Sequence, residues 1–212
     1  LHRKNRAEVP YPIVALVGYT NAGKSTLFNR LTGAAGMAED QLFATLDPTM
    51  RRIDLPSGRT IILSDTVGFI SALPTTLVAA FRATLEEVRV ADILVHVRDI
   101  AHADTEMQKS DVEAVLEEIG FDEPPATLEV LNKIDLLDPV ERDSVVARAR
   151  RNGSEIALSA LTGEGCEAFL EAIEQRLSEN SRILELSVDS ADGAAIAWLY
   201  SHGKVVSRRD DD

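Results

Sequence analysis

One octapeptide constrains this 212-residue chain more than any other feature. It runs from Gly18 to Ser25, reads G-Y-T-N-A-G-K-S and fits the pattern G-x-x-x-x-G-K-S. The apolar run Ile13–Val17 precedes it and a helical pattern begins at Lys24, so it forms the turn between a buried strand and a helix. Backbone N–H groups in such a turn converge on an anion at the positive end of the helix. We predict a cradle for nucleotide phosphates, with Lys24 on the β- and γ-phosphates and the Ser25 hydroxyl on Mg²⁺.

Further apolar runs of strand length alternate with helical patterns along the chain. The runs are Thr60–Leu63, Ile93–Val97, Leu128–Leu131 and Glu155–Leu158, and the helical patterns cover Leu77–Val88, Val112–Ile119 and Cys166–Leu177. This alternation predicts an α/β fold with a mostly parallel sheet and helices on both faces. The segments Met50–Leu55 and Thr60–Ser64 flank a turn-rich P-S-G-R link, which predicts one antiparallel hairpin.

A second phosphate-related motif, Asp65-Thr66-Val67-Gly68, ends the third predicted strand about forty residues after the phosphate loop. An aspartate in this place can hold Mg²⁺ through water, and the Gly68 N–H can bond the γ-phosphate. Alone, the motif is typical of an ordinary strand-to-loop turn. Its position after a phosphate loop favours the nucleotide interpretation.

Two more motifs follow the last two predicted strands and indicate a guanine base. Asn132-Lys133-Ile134-Asp135 provides a carboxylate that can accept bonds from guanine N1–H and the 2-amino group, whereas adenine lacks this donor pair. Lys133 can lay its aliphatic stem along the base, and Ser159-Ala160-Leu161 can direct backbone N–H groups at guanine O6. Ligands of open parallel sheets bind at the carboxyl edge, where all four motifs are predicted to meet. The sequence therefore predicts a guanine-nucleotide-binding domain.

The segment between the first helix and the second strand is expected to sense the γ-phosphate. It contains Leu42 to Thr49, and Thr45 is the favoured candidate for completing the Mg²⁺ shell. Thr49 is a rival, and both can also be ordinary loop threonines.

The candidate residues fall into three groups. The catalytic candidates are Lys24, Thr45 and Gly68, and the predicted Mg²⁺ ligands are Ser25, Thr45 and Asp65. The predicted nucleotide contacts are Gly18, Tyr19, Thr20, Asn21, Ala22, Gly23, Lys24, Ser25, Thr26, Phe43, Ala44, Thr45, Leu46, Asp47, Asp65, Thr66, Val67, Gly68, Asn132, Lys133, Ile134, Asp135, Ser159, Ala160 and Leu161.

Composition narrows the possible partners. The formal charge is −13, which argues against a broad, sequence-independent grip on DNA or RNA by this chain and against a polybasic membrane anchor. The single cysteine, Cys166, lies on the apolar stripe of a predicted helix, and we interpret it as a core residue. No apolar run approaches the length of a membrane span. We expect a cytoplasmic monomer, with peripheral membrane association left open.

Three segments are predicted along the chain. Residues 1–12 form a linker from a preceding domain, residues 13–180 the nucleotide-binding domain and residues 181–212 part of a small C-terminal domain. Within the last segment, Ile183–Val188 has a strand-like pattern and Ala194–Tyr200 a helical one.

The sequence resembles the HflX GTPases, which are close to the Obg group of translation-factor-related GTPases. The resemblance is carried by F-A-T-L-D-P-T at Phe43–Thr49, D-T-V-G-F-I at Asp65–Ile70 and L-P-T-T-L-V-A-A-F at Leu73–Phe81, and it extends over about Val14 to Leu177. It implies a Ras-like P-loop GTPase domain with Mg²⁺, and it makes Thr45 the family's Mg²⁺-binding switch threonine. It also implies binding to the large ribosomal subunit, mainly through an N-terminal domain missing here, and splitting or rescue of stalled ribosomes.

The chemistry leaves alternatives open. Phe69 stands directly after Gly68, where Ras-like enzymes place a glutamine that orients the attacking water. Asn21 either helps to hold a catalytic K⁺ against the phosphates or only stabilises its loop. Besides a ribosome-associated GTPase, the sequence allows a module that senses GTP against GDP with negligible hydrolysis, or a related GTPase that serves tRNA modification.

Overall fold

The computed structural model describes residues 11–33, 49–66, 68, 88–119, 125–179, 185–202 and 207–209. The chain divides into two compact units. One spans residues 11–179, and the described residues of the other lie between 185 and 209.

The described part of the first unit contains one six-stranded sheet with order β2-β3-β1-β4-β5-β6. The strands are β1 (Ile13–Val17), β2 (Thr49–Asp54), β3 (Thr60–Asp65), β4 (Ile93–Asp99), β5 (Ala126–Asn132) and β6 (Glu155–Ala157). The described part of this unit includes the helices α1 (Lys24–Thr32), α2 (Thr105–Ile119), α3 (Pro139–Asn152) and α4 (Cys166–Glu179), with a short 3-10 helix at Ile134–Leu136. Strand β2 pairs antiparallel with β3, and the other four pairings are parallel. The predicted fold class is confirmed.

Helices cover both faces of the sheet because the central strands are apolar on both sides. On one face, Leu27 and Phe28 of α1 and Phe169 of α4 join the larger core cluster. On the other face, Val112 of α2 packs with a second cluster that includes Val17. Apolar residues at adjacent positions of β1 and β4 belong alternately to the larger cluster and to the second cluster. This alternation fixes the register of the sheet.

The apolar pattern does not predict helix α3, because the helix is mostly polar and its buried residue is Ala149. Its boundaries carry clear signals nonetheless. The Asp138 side chain accepts bonds from the backbone N–H groups of Val140 and Glu141, and Gly153 closes the helix in the left-handed conformation. Capping residues identify this helix where hydrophobic periodicity does not.

The second unit corrects one prediction. Residues 185–188 belong to no strand, because no partner strand pairs with them among the described residues. The predicted helix is present as α5 (Gly193–His202), and its Trp198 and Tyr200 side chains are exposed.

Candidate nucleotide site

The four motifs meet at the carboxyl edge of the sheet, as the parallel topology requires. Gly18 follows β1, Asp65 ends β3, Asn132 ends β5, and Ser159 lies two residues beyond β6. This brings together segments that are more than a hundred residues apart in the chain.

Positive φ angles shape the phosphate loop. Gly18 has φ 151°, Asn21 60° and Gly23 95°. A Cβ atom at Gly18 would lie 2.2 Å from the Val97 carbonyl oxygen, so a side chain there has no room beside β4. The loop therefore packs its backbone against the sheet and leaves its concave side to a ligand.

Lys24 is buried at the start of α1. Its Nζ donates to the carbonyl oxygens of Gly18 at 3.0 Å and Tyr19 at 2.9 Å. Burial lowers the pKa of Lys24 to about 8, and the nearby Asp65 carboxylate opposes that shift. Gly68 lies beside this ammonium, since a Cβ there would be 3.1 Å from Lys24 Nζ. The Lys24 ammonium and Gly68, both predicted to contact the γ-phosphate, therefore lie close together.

Ser25 and Asp65 meet at one point beside the phosphate loop. The Ser25 hydroxyl donates to Asp65 Oδ2 at 2.7 Å, and Asp65 is buried. A hydroxyl and a carboxylate are hard oxygen donors of the kind that Mg²⁺ prefers. The adjoining Thr66 hydroxyl bonds the Leu16 carbonyl oxygen at 2.6 Å and ties this strand end to β1. The donor set therefore fits the predicted magnesium ion.

Asn132 connects the phosphate loop to the predicted guanine loop. Its Nδ2 donates to the Ala22 carbonyl oxygen at 2.8 Å, and its Oδ1 accepts from the Ala160 N–H at 2.9 Å. The side chain is 1% exposed, so both bonds are shielded from water. Gly23 makes this approach possible, because a Cβ there would lie 2.2 Å from Asn132 Nδ2.

Asp135 and Lys133 follow Asn132 at the base end of the site. Asp135 Oδ1 is buried, and no hydrogen-bond partner for it lies within the part of the chain that the structure describes. Such an oxygen is costly to bury unless a ligand donates to it. Lys133 has φ 68°, and its Nζ pairs with Asp99 Oδ2 at 2.8 Å. The pair fixes the Lys133 ammonium at the end of β4.

The predicted guanine loop is stabilised by its own backbone. Ser159 is buried, its hydroxyl accepts from the Thr162 N–H at 3.1 Å, and its carbonyl oxygen accepts from the Gly163 N–H at 2.8 Å. The Ala160 N–H points at Asn132, a bond that the sequence did not predict. Leu161 is 69% exposed at the tip.

Several predicted residues lie outside the described part of the chain. They are Phe43, Ala44, Thr45, Leu46, Asp47 and Val67, together with Phe69. The rival Thr49 is the first residue of β2 and pairs in register with Asp65.

Sequence reasoning missed the charged residues that hold β4 in place. Arg98 is buried and bonds Glu129 of β5 and, at 2.5 Å, Glu106 of α2. Lys109 also reaches Glu129, with Nζ 2.8 Å from Oε2. The sequence did offer a signal for these contacts, namely a charged residue, Arg98, within an otherwise apolar strand.

His96 and Cys166 are both buried, and the interpretation of Cys166 as a core residue is confirmed. His96 is 4% exposed, and burial lowers its pKa to about 4, so it is a neutral interior side chain. Cys166 is 8% exposed and burial raises the pKa of its thiol, which suits a core residue rather than a nucleophile. Across the described ranges, no cluster of three His, Cys, Asp or Glu side chains could hold a metal ion. None of the described helices is long and apolar enough to cross a bilayer.

Comparison with known proteins also points to a GTPase. Residues 13–133 match the family described as 50S ribosome-binding GTPase, and residues 144–212 match the HflX C-terminal domain. The GTPase HflX of Magnetococcus marinus is 47% identical over all of this chain and 48% of its own length. The GTPase HflX of Escherichia coli is 50% identical over 83% of this chain and 41% of its own length.

Among solved structures, a GTP-binding protein from Sulfolobus solfataricus in complex with GDP has a TM-score of 0.62 and 32% identity, over 80% of this chain and 53% of that one. The chain spans about half the length of the curated relatives it matches. It belongs to the 50S ribosome-binding GTPases and, within them, to the HflX family.

Proposed function

We propose that this chain binds guanine nucleotides and hydrolyses GTP to GDP and phosphate with Mg²⁺. One observation carries the proposal: Asp135 Oδ1 is buried without a hydrogen-bond partner among the described residues, three positions after the asparagine that bonds the phosphate loop. A carboxylate oxygen in that position fits the N1–H and 2-amino donors of guanine, and adenine offers no equivalent pair.

The residues at the phosphate end support the chemistry. Lys24 supplies a cation to the β- and γ-phosphate oxygens, and the adjacent Gly68 offers its N–H to the γ-phosphate. Ser25 and Asp65 would hold Mg²⁺ together with Thr45. The ion neutralises charge on the phosphate oxygens when it is bound. Water then attacks the γ-phosphorus as its bond to the β,γ-bridging oxygen breaks.

Phe69 predicts slow intrinsic turnover, because a phenyl ring cannot orient the attacking water. Two sources could supply the missing contribution. Asn21 can hold K⁺ near the phosphates, and its φ of 60° and exposure suit a loop residue that faces a ligand. A partner bound to the complete protein can supply a further group.

Phe69 also favours the second candidate, a module that distinguishes GTP from GDP and hardly hydrolyses. A single-turnover assay separates the two. We expect a slow, Mg²⁺-dependent release of phosphate that is faster in K⁺ than in Na⁺ and absent in Lys24→Ala. No phosphate release by the wild-type chain beyond the Lys24→Ala background would favour the sensing module. Equal rates in the two salts would remove Asn21 from the catalytic account.

For the complete protein, we propose binding to the large ribosomal subunit and nucleotide-dependent splitting or rescue of stalled ribosomes. The match to a 50S ribosome-binding GTPase family supports this role over tRNA modification. The complete protein should sediment with large subunits in the presence of a non-hydrolysable GTP analogue and less so with GDP. Sedimentation independent of the nucleotide would contradict a GTP-switched interaction.

A further inference from the structure

Arg30 of α1 reaches across to the predicted guanine loop. Its Nε donates to the Ala160 carbonyl oxygen at 2.5 Å, and its Nη2 donates to the Leu161 carbonyl oxygen. The two acceptors are consecutive carbonyls of the segment predicted to contact guanine O6. A planar guanidinium fixes two acceptors together, which a single bond cannot do.

The loop is shaped to receive this side chain. Gly163 has φ 92°, and a Cβ there would lie 2.8 Å from Arg30 Nη1. The loop has no strand or helix of its own between β6 and α4, so bonds within the loop and from Arg30 hold it in place. Arg30 therefore restrains a segment that could otherwise shift by the fraction of an ångström that weakens a hydrogen bond.

The same helix carries both ends of the site. Lys24 and Ser25 begin α1 at the phosphate loop, and Arg30 lies near its end. A helix is a rigid spacer. Helix α1 thus links the position of the predicted guanine loop to that of the predicted phosphate-binding residues. This link is separate from the one that the Asn132 side chain makes.

We propose that Arg30 is a positioning residue for guanine recognition, which sets the Leu161 N–H against O6. The Ser159 and Ala160 N–H groups are bonded to Glu164 and Asn132 within the chain. The inference rests on the proposed function, since it assumes that a guanine base lies against this loop. In this role Arg30 does not itself contact the nucleotide. The alternative is that Arg30 is an exposed side chain that only stabilises the loop or the fold.

The test measures the affinities of GDP, inosine diphosphate and 6-thio-GDP for Arg30→Ala and Arg30→Lys. Sulfur at position 6 is a larger and poorer acceptor, so the ratio of GDP to 6-thio-GDP affinity reports the Leu161 N–H. Inosine lacks the 2-amino group, so the ratio of GDP to inosine diphosphate affinity reports Asp135. Arg150→Ala is the matched control, because Arg150 is exposed on α3 and makes no hydrogen bond or ion pair within the described ranges.

We expect Arg30→Ala to lower GDP affinity about tenfold. The preference for GDP over 6-thio-GDP should shrink, while the preference for GDP over inosine diphosphate is kept. Arg30→Lys should lie between wild type and Arg30→Ala, and Arg150→Ala should equal wild type. The proposal is overturned if GDP affinity is unchanged in Arg30→Ala, or if both preferences stay intact while only the melting temperature falls. If Arg30→Ala does not fold, Arg30→Lys decides by the same two ratios.

The wild-type measurement keeps this test distinct from that of the proposed function. Wild-type chain that does not prefer GDP over inosine diphosphate contradicts the guanine site itself. If the wild-type chain prefers GDP, but the GDP affinity and both affinity ratios are unchanged in Arg30→Ala and Arg30→Lys, only the role of Arg30 is contradicted.

Discussion

The phosphate end and the base end of the proposed site are built in different ways. At the phosphate end, eight consecutive residues set the shape through positive φ angles and one buried lysine. At the base end, Asn132 reaches back 110 residues to Ala22, and Ala160 is bonded by Arg30 across 130 residues. The proposed phosphate binding therefore depends on a local turn, whereas the proposed base selection depends on the tertiary fold. Substitutions at the two ends should separate these properties.

The largest effect is expected at Asp135. Asp135→Asn replaces a carboxylate that accepts guanine's donors by an amide, so GTP affinity should fall on the order of 10³- to 10⁴-fold. Xanthosine triphosphate should gain affinity, because the amide NH₂ can donate to its 2-oxo group. Competition binding with the two triphosphates measures the exchange. Unchanged GTP affinity would mean that Asp135 does not read the base.

Asn132→Ala should weaken both ends together. The change leaves the buried Ala22 carbonyl and Ala160 N–H without their partner, which should lower the free energy of unfolding by about 3 kcal/mol. Denaturant unfolding measures this loss. Asn132→Asp is the matched variant, because it keeps an acceptor for Ala160 but removes the donor to Ala22. Stability of Asn132→Ala within about 1 kcal/mol of wild type would show that the bridge is not needed.

Asp99→Asn tests the base end alone. It removes the negative partner of Lys133, and the lysine stem beside the base should lose its fixed position. GDP affinity should fall about fivefold, as for a partly exposed ion pair, with the single-turnover rate constant at saturating GTP unchanged. Asp143→Asn on the exposed side of α3 is the control. A lower rate constant with unchanged affinity would place Asp99 in the chemistry instead.

His96 tests the sheet beneath the phosphate end, because it pairs in register with Val17 directly before Gly18. Its pKa is about 4 in the folded chain against an ordinary 6.5, so the unfolded chain binds more protons between these values. Stability should therefore fall as the pH drops from 6.5 to 4, by about 3 kcal/mol in total from this residue. Burial is the main cause, Glu129 opposes it, and Arg98, Lys109 and Lys24 add to it.

Urea unfolding at several pH values measures this dependence. His96→Leu should flatten it between pH 6.5 and 4, and His102→Asn, a change at an exposed histidine, should not. The same slope in His96→Leu and wild type would assign the acid sensitivity to other groups.

The sequence was sufficient wherever structure depends on neighbours along the chain. The strands, the antiparallel hairpin and the phosphate loop follow from apolar runs and glycine spacing, and the structure contains all of them in its described part. Helix α3 was missed because its sequence is polar, although Asp138 and Gly153 mark its ends. The strand-like residues 185–188 show the reverse error, since no strand pairs with them in the part of the chain that the structure describes, and alternation alone does not make a strand.

Long-range polar contacts could not be predicted from the sequence. Nothing in the local pattern says that Lys133 pairs with Asp99, or that the Ala160 N–H points at Asn132. These pairings depend on which strands are neighbours and on their register, and only the assembled sheet fixes both. The sequence could thus predict which motif is proposed to bind the base, but it could not predict the contacts that position this motif.

The most direct test of the guanine site is a calorimetric titration of the wild-type chain with GDP, inosine diphosphate and ADP at constant Mg²⁺. We predict that GDP binds, that inosine diphosphate binds about tenfold more weakly for want of the 2-amino bond, and that ADP binds at least about 10³-fold more weakly. ADP binding as tightly as GDP would contradict the central claim that Asp135 and its loop select guanine.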